Sequence, residues 1–592
     1  MKIYKFCKYY LLSQKTNLII FVFLAFLGSL VSIMSPYVLG EFIDKLIIGA
    51  DRIIIAQFCI SFGVICLFKI IKDYATSVLY TKMQNKMGYK INMYIIKHIQ
   101  RLSLSFINHK DVSYLNQRIN GDSYAIISFC LKALRDATIN VILIVVPFFI
   151  LFSLNTTITV VLLFFIFLYI AIYSLLKKTM YNAGLAYTEG QAKFIASLFE
   201  QMEHIMQIKV DSVQPEFNER STKAFSGYYQ TAIKSQRINY IYTSLDEIVA
   251  ILAQIVLFVI GGIYVIRGEF TIGMFTIFSS YFRTMLSACR YFFGLAANYQ
   301  AALVSYNRIK EILNYREESN GETILHDVDT IELRSISFSY ETYEHIQIHD
   351  NKPSDAADEE AVNIHHIDDD GKRLINDFSY VFTKGNIYAL KGENGSGKTT
   401  LIKLIIGLYG DEYSGNIYYN DISTAQIDMI QARKNIIGYA SQEPLLVEDS
   451  LYYNLTYRYY DSDQNGGTIN KVDDACEPEL FKSCIQFLNM DIFFMKKGCS
   501  FMINKNGTNL SGGEKQKMAI LKVMYKNPTV MIFDEPTSAL DAETKKCFLK
   551  YLEQIREDKI IIVVTHDNDL ETYCDHVIEV PKMNIQLQTV DK

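Results

Sequence analysis

The sequence predicts a multidomain membrane protein, in which an all-α half with six membrane-spanning helices precedes an α/β domain. Two observations lead to this fold class. Apolar runs of about twenty residues crowd the first half of the chain, whereas the second half alternates short apolar runs with helical segments. Half of the 592 residues are hydrophobic. A soluble chain of this length would need about three or four domains, so part of the chain is expected in a membrane.

The membrane-spanning half is predicted from six apolar runs, each long enough to cross a bilayer as a helix. The runs are 18–39, 54–80, 133–154, 157–176, 242–266 and 272–297. Two of the connections, 81–132 and 177–239, are long and helical in pattern. The long connections and the N-terminus carry an excess of lysine, for example Lys82, Lys86 and Lys177. Because cytoplasmic loops are rich in lysine and arginine, we expect both chain ends and the α/β domain in the cytoplasm.

Charge and cysteine usage argue against two kinds of function. The formal net charge is -5, which disfavours nucleic acid as a partner because phosphate binding needs a basic field. The ten cysteines are scattered without a C-x-x-C motif. Neither a disulfide framework nor a zinc site is therefore indicated, and reduced thiols are expected.

A polar linker at 314–329 separates the membrane domain, 1–313, from the α/β domain, 330–592. Strands are predicted at 331–338, 387–390, 436–440, 530–533 and 560–564, alternating with helices as in a sheet covered on its faces. A segment at 341–373 is rich in acidic residues and histidine. Such residues can bind a transition metal, but low hydrophobicity and high charge favour a solvated insertion. A second polar stretch, 461–467, is predicted to be a loop.

Residues 392–400 read GENGSGKTT and match the phosphate-binding pattern G-x-x-x-x-G-K-[ST]. An apolar strand precedes the stretch and an apolar helix follows it, as the pattern requires. Glycines let backbone N–H groups face a polyphosphate, Lys398 reaches the outer phosphates, and the Thr399 hydroxyl can bind Mg2+. We therefore predict a site for ATP and Mg2+. Its loop residues are Gly392, Glu393, Asn394, Gly395, Ser396, Gly397, Lys398, Thr399 and Thr400.

Two carboxylates, Asp534 and Glu535, end the apolar run 530–533. An aspartate in this position can hold Mg2+ opposite Thr399, and the adjacent glutamate can polarise the attacking water. The pair therefore supplies the metal and base roles of phosphoryl transfer, with Lys398 as the cation at the phosphates.

The sequence LSGGEKQ at 510–516 resembles the signature of ATP-binding-cassette (ABC) proteins, and it lies between the phosphate loop and the acid pair as in that family. The resemblance implies further roles. Gln442 is similar to the glutamine of the glutamine loop, which contacts the metal and takes part in catalysis. Asp541 is similar to the D-loop aspartate, His566 to the switch histidine, and Tyr340 to the aromatic residue that stacks on adenine.

Six spans followed by one such domain resemble an exporter-type ABC half-transporter. The resemblance implies a dimer in which each ATP lies between the phosphate loop of one chain and Ser511, Gly512 and Gly513 of the other. It also implies ATP hydrolysis coupled to export of a peptide or an amphipathic small molecule. A second copy of the chain is the expected partner, and a heterodimer stays open. Lipid flipping or import on the same fold is an alternative. A nucleotide-gated channel or regulator is an alternative of another class.

One stretch departs from the family pattern. Exporters carry T-x-V-G-E-x-G before the signature, whereas residues 501–507 read FMINKNG, with Lys505 in place of the glutamate. The family further implies short helices in the cytoplasmic loops that contact the nucleotide-binding domains, which we place near 108–115 and 211–217.

Two arginines lie inside the last apolar run. Arg283 and Arg290 are seven residues apart, hence on one helical face, and Arg283 lies roughly 16 Å below the outer end of the run. Charge inside a membrane segment is costly, so both side chains are expected away from lipid. They line a cavity that receives an anionic cargo, pair with acids such as Asp246 or Glu247, or face water without touching the cargo.

Overall fold

The computed structural model describes residues 2–49, 52–109, 115–315, 317–340, 374–458 and 478–581. The acidic segment 341–373 and the polar stretch 461–467 lie outside the described residues. The chain divides into two compact units: residues 1–99 with 112–314, and residues 100–111 with 315–592.

The first unit is entirely helical in its described part. Its helices are α1 (Lys2–Leu12), α2 (Lys15–Gly49), α3 (Arg52–Ile99), α5 (Ser123–Leu154), α6 (Thr156–Glu203), α7 (Ile205–Asp211), α8 (Gln214–Ile266) and α9 (Ile272–Asn314); α4 (Leu104–His109) belongs to the second unit. A π-helical turn, Gln117–Asp122, leads into α5. The predicted apolar runs all fall inside these helices, and most of the described residues of the two long connections lie in extensions of them.

Among the described residues, five helices are long and apolar enough to cross a membrane, namely α2, α3, α5 with its π-helical turn, α6 and α8. The sixth run forms α9, which does not reach the same mean hydropathy because Arg283 and several hydroxyl side chains interrupt it. The helical transmembrane fold is therefore confirmed, whereas the crossing by α9 stays a prediction.

Two hydrogen bonds to Asp44 join α2 to the start of α9. Asp44 accepts a hydrogen bond from the Gly273 N–H at 2.7 Å and another from the Thr271 hydroxyl at 2.6 Å. The two helices approach so closely that a Cβ atom at Gly273 would collide with the Gly40 carbonyl oxygen. Small residues at this crossing allow backbone contact between membrane helices.

The two long connections differ in detail from the short helices expected in them. The first connection carries α4, which runs from Leu104 to His109 and so begins before the predicted segment 108–115. Residues 110–114 lie outside the described part. At 211–217 the structure has a break instead of a helix. Helix α7 ends at Asp211, Ser212 adopts a left-handed φ of 55°, and α8 begins at Gln214.

The second unit contains two sheets in its described part. An antiparallel sheet has the strand order β2 (Ile375–Thr383), β1 (Thr330–Phe338), β4 (Ser414–Tyr419), β5 (Ile422–Ser423). A parallel sheet has the order β6 (Ile437–Ala440), β7 (Val530–Asp534), β8 (Ile560–Val564), β3 (Ile387–Lys391), β9 (His576–Glu579). The five predicted strands are all present.

Helices complete the second unit: α10 (Lys398–Ile405), α11 (Met429–Asn435), α12 (Leu451–Thr456), α13 (Pro478–Phe487), α14 (Asp491–Lys497), α15 (Gly512–Lys526), α16 (Ala542–Ile555) and α17 (Asn568–Glu571). Strands β7 and β8 are fully buried, as expected of central strands covered on both faces. Neighbouring parallel strands end at the same edge, so the residues that follow β6, β7, β8 and β3 meet there.

Candidate nucleotide-binding site

The phosphate loop connects β3 to α10 and is shaped by glycine. Gly397 has a φ of 92° and caps the N-terminus of α10. At Gly392 a Cβ atom would lie 2.6 Å from the Val580 carbonyl oxygen. The apolar residues of α10, including Leu401 and Ile402, are buried and hold the helix against the sheet. The loop therefore presents the positive end of a fixed helix, which favours a bound phosphate.

Lys398 lies inside this loop with 8% of its surface exposed. Its Nζ donates hydrogen bonds to the carbonyl oxygens of Gly392 at 2.7 Å and Glu393 at 3.0 Å. Burial lowers the pKa of the Lys398 amine. The Ser396 hydroxyl is buried beside it and has no hydrogen-bond partner in the described part of the chain. A buried cation and an unpaired hydroxyl in a cradle of backbone N–H groups fit a polyphosphate. Glu393 and Asn394 are on the exposed side of the loop.

Thr399 and Asp534 face each other across the edge of the sheet. The Thr399 hydroxyl donates to Asp534 Oδ2 at 3.1 Å, and the Tyr439 hydroxyl donates to the same oxygen at 3.3 Å. Burial raises the pKa of Asp534, and the two hydroxyl donors oppose that rise. A hydroxyl and a carboxylate at this spacing are the oxygen ligands that Mg2+ prefers beside a phosphate, so the donor set fits that ion.

Glu535 follows at the end of β7 with a left-handed φ of 47°. Its N–H donates to the Val564 carbonyl at 2.9 Å, which ties the turn to β8. The Gln442 side chain donates from Nε2 to Glu535 Oε2 at 2.7 Å. The structure therefore places Gln442 beside the candidate base, and its contact with a metal stays a prediction.

Tyr340 lies next to the loop from the other side. Its hydroxyl is 2.8 Å from the Thr400 hydroxyl and 3.3 Å from that of Tyr409. The ring packs edge-on against Phe338 and stays partly exposed. Tyr340 is thus anchored at the phosphate loop, and its stacking on adenine stays a prediction.

The signature forms the N-terminus of α15. Ser511 caps the helix by accepting from the Glu514 N–H at 3.2 Å, while Glu514 accepts from the Ser511 N–H at 2.7 Å. Ser511 and Gly512 are exposed, and a Cβ atom at Gly512 would meet no atom within 4 Å. At Gly513 it would lie 2.8 Å from the Ala539 carbonyl oxygen.

Gln516 has a role that the sequence interpretation missed, although the residue stands within the signature. Its side chain is 4% exposed. Nε2 donates to the Glu535 carbonyl at 2.6 Å and to the Ser538 hydroxyl at 2.9 Å, and Oε1 accepts from the Ala539 N–H at 2.8 Å. Gln516 therefore fixes the segment that follows the candidate base. A glutamine in a helix carries no sequence signal of this contact.

Asp541 caps α16 by accepting from the N–H of Thr544 at 2.8 Å and from its hydroxyl at 2.8 Å, and it pairs with Lys517 at 3.1 Å. These hydrogen bonds lower the pKa of Asp541. His566 lies on the exposed side of the turn after β8. The next residue, Asp567, accepts from Lys545 at 2.8 Å and from Thr537 at 3.1 Å, which anchors this turn.

The two arginines of α9 have different surroundings. Arg290 forms an ion pair with Asp246, a buried residue of α8. Arg283 is exposed and contacts only an amide, with Nη2 3.4 Å from Gln254 Oε1. Within the described residues no carboxylate pairs with Arg283. The pairing alternative therefore holds for Arg290.

Two family models match the chain: the ABC transporter transmembrane region over residues 18–289, and the ABC transporter domain over residues 375–538. The chain belongs to the ABC transporters. This ABC transporter is of the exporter type, with one membrane domain fused to one nucleotide-binding domain that binds and hydrolyses ATP. It is a multi-pass membrane protein.

Three relatives illustrate the similarity. The ABC transporter B family member 1 of Dictyostelium discoideum is 25% identical over 82% of this chain, which spans only 50% of that relative's length. The lactococcin-G-processing and transport ATP-binding protein LagD of Lactococcus lactis subsp. lactis is 24% identical, covering 92% of this chain and 72% of its own. The alpha-hemolysin translocation ATP-binding protein HlyB of Escherichia coli O157:H7 is 22% identical, covering 90% and 70%.

The solved structure of a bacterial Atm1-family ABC exporter with ATP bound shares the fold of this ABC transporter. The TM-score is 0.75 at 15% identity, and the match covers 96% of this chain and 93% of the other.

Proposed function

We propose that this ABC transporter exports a peptide or an amphipathic small molecule across the cytoplasmic membrane, as a dimer that alternates between inward-open and outward-open states. The nucleotide-binding unit and the lysine-rich loops lie in the cytoplasm. The observation that carries the cargo pathway is Arg283, which is exposed on a polar face of α9 and has no carboxylate partner among the described residues.

Hydrolysis is assigned to the edge of the parallel sheet. Thr399 and Asp534 would hold Mg2+, which neutralises charge on the phosphates when bound. Glu535 accepts the proton of the attacking water, and Gln442 orients its carboxylate. Lys398 exchanges its two loop carbonyls for phosphate oxygens. His566, on the exposed side of the turn after β8, is assigned to the outer phosphate.

The signature supports a site completed by a second chain. Ser511 and Gly512 are exposed, and the first turn of α15 leaves backbone N–H groups without helical partners. Glycine at these positions lets a γ-phosphate approach closely. We assign the second chain to another copy of this protein. One chain carries the metal-binding residues, the base and the signature, so two copies would form two complete sites.

A polar face on α9 supports a water-filled cargo path. Arg283, Ser287, Arg290, Gly294 and Asn298 are exposed and recur at intervals of three or four residues, so they share one face. Between residues 248 and 266 the exposed residues of neighbouring α8 are apolar, among them Ile251, Ile255 and Phe258. An arginine near the bilayer midplane does not face lipid. We therefore assign the α9 face to a cavity and the α8 face to lipid.

Arg283, which no carboxylate pairs with in the described part of the chain, favours a cargo with an anionic group. Peptide or protein cargo is consistent with two relatives, named as the transporter of lactococcin G and the translocator of alpha-hemolysin. Lipid flipping and import use the same fold and would also need a nucleotide cycle. A nucleotide-gated channel or regulator has less need of a positioned base, and the Gln442–Glu535 hydrogen bond argues against it.

The test uses the full chain reconstituted in liposomes. We expect Mg2+-dependent ATP hydrolysis that is stimulated by anionic peptides, and peptide accumulation in vesicles whose nucleotide-binding units face outward. The Glu535→Gln variant should lower both by at least about 100-fold. Stimulation by phospholipid alone would favour flipping, and ion flux that survives Glu535→Gln would favour a channel.

A further inference from the structure

Helix α1 packs against the helical unit just before the first span. Ile3, Cys7, Tyr10 and Leu11 are buried in a cluster with residues of α3, α5 and α9. The turn to α2 is short: the Ser13 hydroxyl donates to the Tyr10 carbonyl at 2.7 Å, and α2 continues from Lys15. Because the apolar run of α2 begins at residue 18, α1 lies at the level of the membrane surface.

The opposite face of α1 carries tyrosines and lysines. Tyr4 and Tyr9 are 57% and 76% exposed, and Lys5 and Lys8 are exposed between them. Tyrosine has an apolar ring and a polar tip, and it is enriched where headgroups meet hydrocarbon. Exposed tyrosines and lysines next to the start of a membrane span are typical of the membrane interface.

Helix α3 extends this face. Lys82, Lys86 and Lys90 are exposed and recur every four residues, so they form one stripe. Lys90 Nζ donates to the Ser13 hydroxyl at 3.1 Å, which brings the end of the stripe to the α1–α2 turn. We call Lys5, Lys8, Lys15, Lys86 and Lys90 together with Tyr9 the basic interfacial surface.

The positive charge of this surface is not neutralised by the chain around it. Residues 1–40 and 74–110 contain no aspartate or glutamate. None of its lysines forms an ion pair in the part of the chain that the structure describes. By contrast, Lys223 on the far part of α8 pairs with Glu219 at 2.7 Å.

We propose that the basic interfacial surface binds the headgroups of anionic phospholipids. Its lysines supply a local positive field at the level of the lipid phosphates, and each lysine near the surface strengthens binding of anionic lipid about fivefold. Tyr9 supplies the contact with the upper part of the acyl chains. A soluble phosphate or nucleotide would leave these tyrosines in water, so lipid is the occupant that matches both the charge and the rings.

The chain contains no tryptophan, so Tyr9→Trp places a single tryptophan on this surface, and its fluorescence can be excited selectively. The full-length variant is reconstituted with brominated phosphatidylglycerol or brominated phosphatidylcholine at equal mole fraction in low salt. We expect stronger quenching by the brominated phosphatidylglycerol, and a preference that weakens as salt is added. Adding Lys8→Gln and Lys90→Gln should reduce the preference by about an order of magnitude.

The control adds Lys223→Gln to Tyr9→Trp and should keep the full preference, since this residue lies roughly 65 Å along α8 from its outer end. ATP hydrolysis by each variant reports that the chain is folded. Three results would overturn the proposal: equal quenching by both lipids, quenching by neither, or a preference that survives loss of Lys8 and Lys90.

Discussion

The Gln442 amide donates from Nε2 to the Glu535 carboxylate at 2.7 Å, joining the turn after β6 to the end of β7. Glu535 is also held by its own backbone, since its N–H donates to the Val564 carbonyl. The candidate base is therefore positioned from two neighbouring strands.

Loss of this contact should slow hydrolysis without abolishing it. A hydrogen bond to a charged group contributes about 1.5 kcal/mol or more, so we expect Gln442→Ala to lower kcat about tenfold. Steady-state ATPase assays in liposomes measure this. Ser441→Ala is the matched control, because the Ser441 hydroxyl contacts only the Glu443 carbonyl. An unchanged kcat in Gln442→Ala would show that Gln442 does not position Glu535.

Substitution of each signature glycine by alanine distinguishes a loss of stability from a loss of contact with the nucleotide of a second chain. A Cβ atom at Gly512 meets open space, whereas one at Gly513 approaches the Ala539 carbonyl at 2.8 Å. Gly512→Ala should therefore leave the thermal unfolding midpoint unchanged and still lower ATPase activity at least tenfold. Gly513→Ala should lower both. Full activity in Gly512→Ala would contradict a nucleotide bound between two chains.

Gln516→Leu should uncouple the segment after Glu535 from α15. The substitution leaves the Ala539 N–H without its partner, which costs about 1–3 kcal/mol for a buried group. We expect a lower kcat with little change in KM for ATP, because the phosphate loop is untouched. Met518→Leu, a buried substitution of similar volume on the same helix, controls for general damage. Equal losses of kcat in the two variants would show that Gln516 acts only through packing.

Breaking the ion pair between Glu318 and Arg433 should make the stability of the fold depend on pH. The atoms are 2.6 Å apart, with 13% and 21% of the side chains exposed. Burial raises the pKa of Glu318, and the Arg433 hydrogen bond opposes that rise. Arg433→Met removes the opposing contact, so Glu318 is buried and ionised at pH 7, at a cost of about 3 kcal/mol.

A carboxyl with a raised folded-state pKa destabilises the fold above that pKa, and the effect is relieved as the pH falls through it. The destabilisation by Arg433→Met should therefore be larger at pH 7 than at pH 5, measured by thermal unfolding. Adding Glu318→Gln should recover most of the loss at pH 7. A loss that is the same at both pH values would mean that Glu318 is not the group responsible.

Arg283→Ala tests the anionic cargo. We expect the concentration of an anionic peptide that half-maximally stimulates ATPase to rise about tenfold, which corresponds to loss of one charge-assisted contact. Stimulation by a neutral peptide should stay the same. Ser287→Ala, one turn further on the same face, is the matched control. If Arg283→Ala leaves stimulation by the anionic peptide unchanged, the cavity assignment is wrong.

Short linear motifs made the nucleotide-binding unit largely predictable. The glycine pattern at 392–400, the acids after the strand and the apolar runs locate four of the five parallel strands and the edge where they end. The remaining strand, β9, is a short element that is mostly exposed and carries no apolar run. Strands β2, β4 and β5 belong to the antiparallel sheet and are mostly not buried, so a search for buried apolar runs does not find them.

Contacts between residues distant in sequence were not predictable. Gln516 reaches Glu535 and Ala539 only because α15 packs beside β7, and Gln442 reaches Glu535 because β6 pairs with β7. Arg290 has Asp246 as its partner, one of two acids that the sequence allowed, whereas Arg283 has neither.

Residues 100–111 are encoded between two membrane helices but fold with the nucleotide-binding unit. The Leu104 N–H donates to the Leu408 carbonyl at 2.9 Å, the Glu318 N–H donates to the Arg101 carbonyl at 2.7 Å, and the Phe106 ring packs on Tyr315 at 4.5 Å. A soluble fragment beginning near residue 315 would therefore carry an uncovered patch where this segment belongs. Supplying 100–111 as a separate peptide, or through a linker ahead of residue 315, is the direct way to restore it.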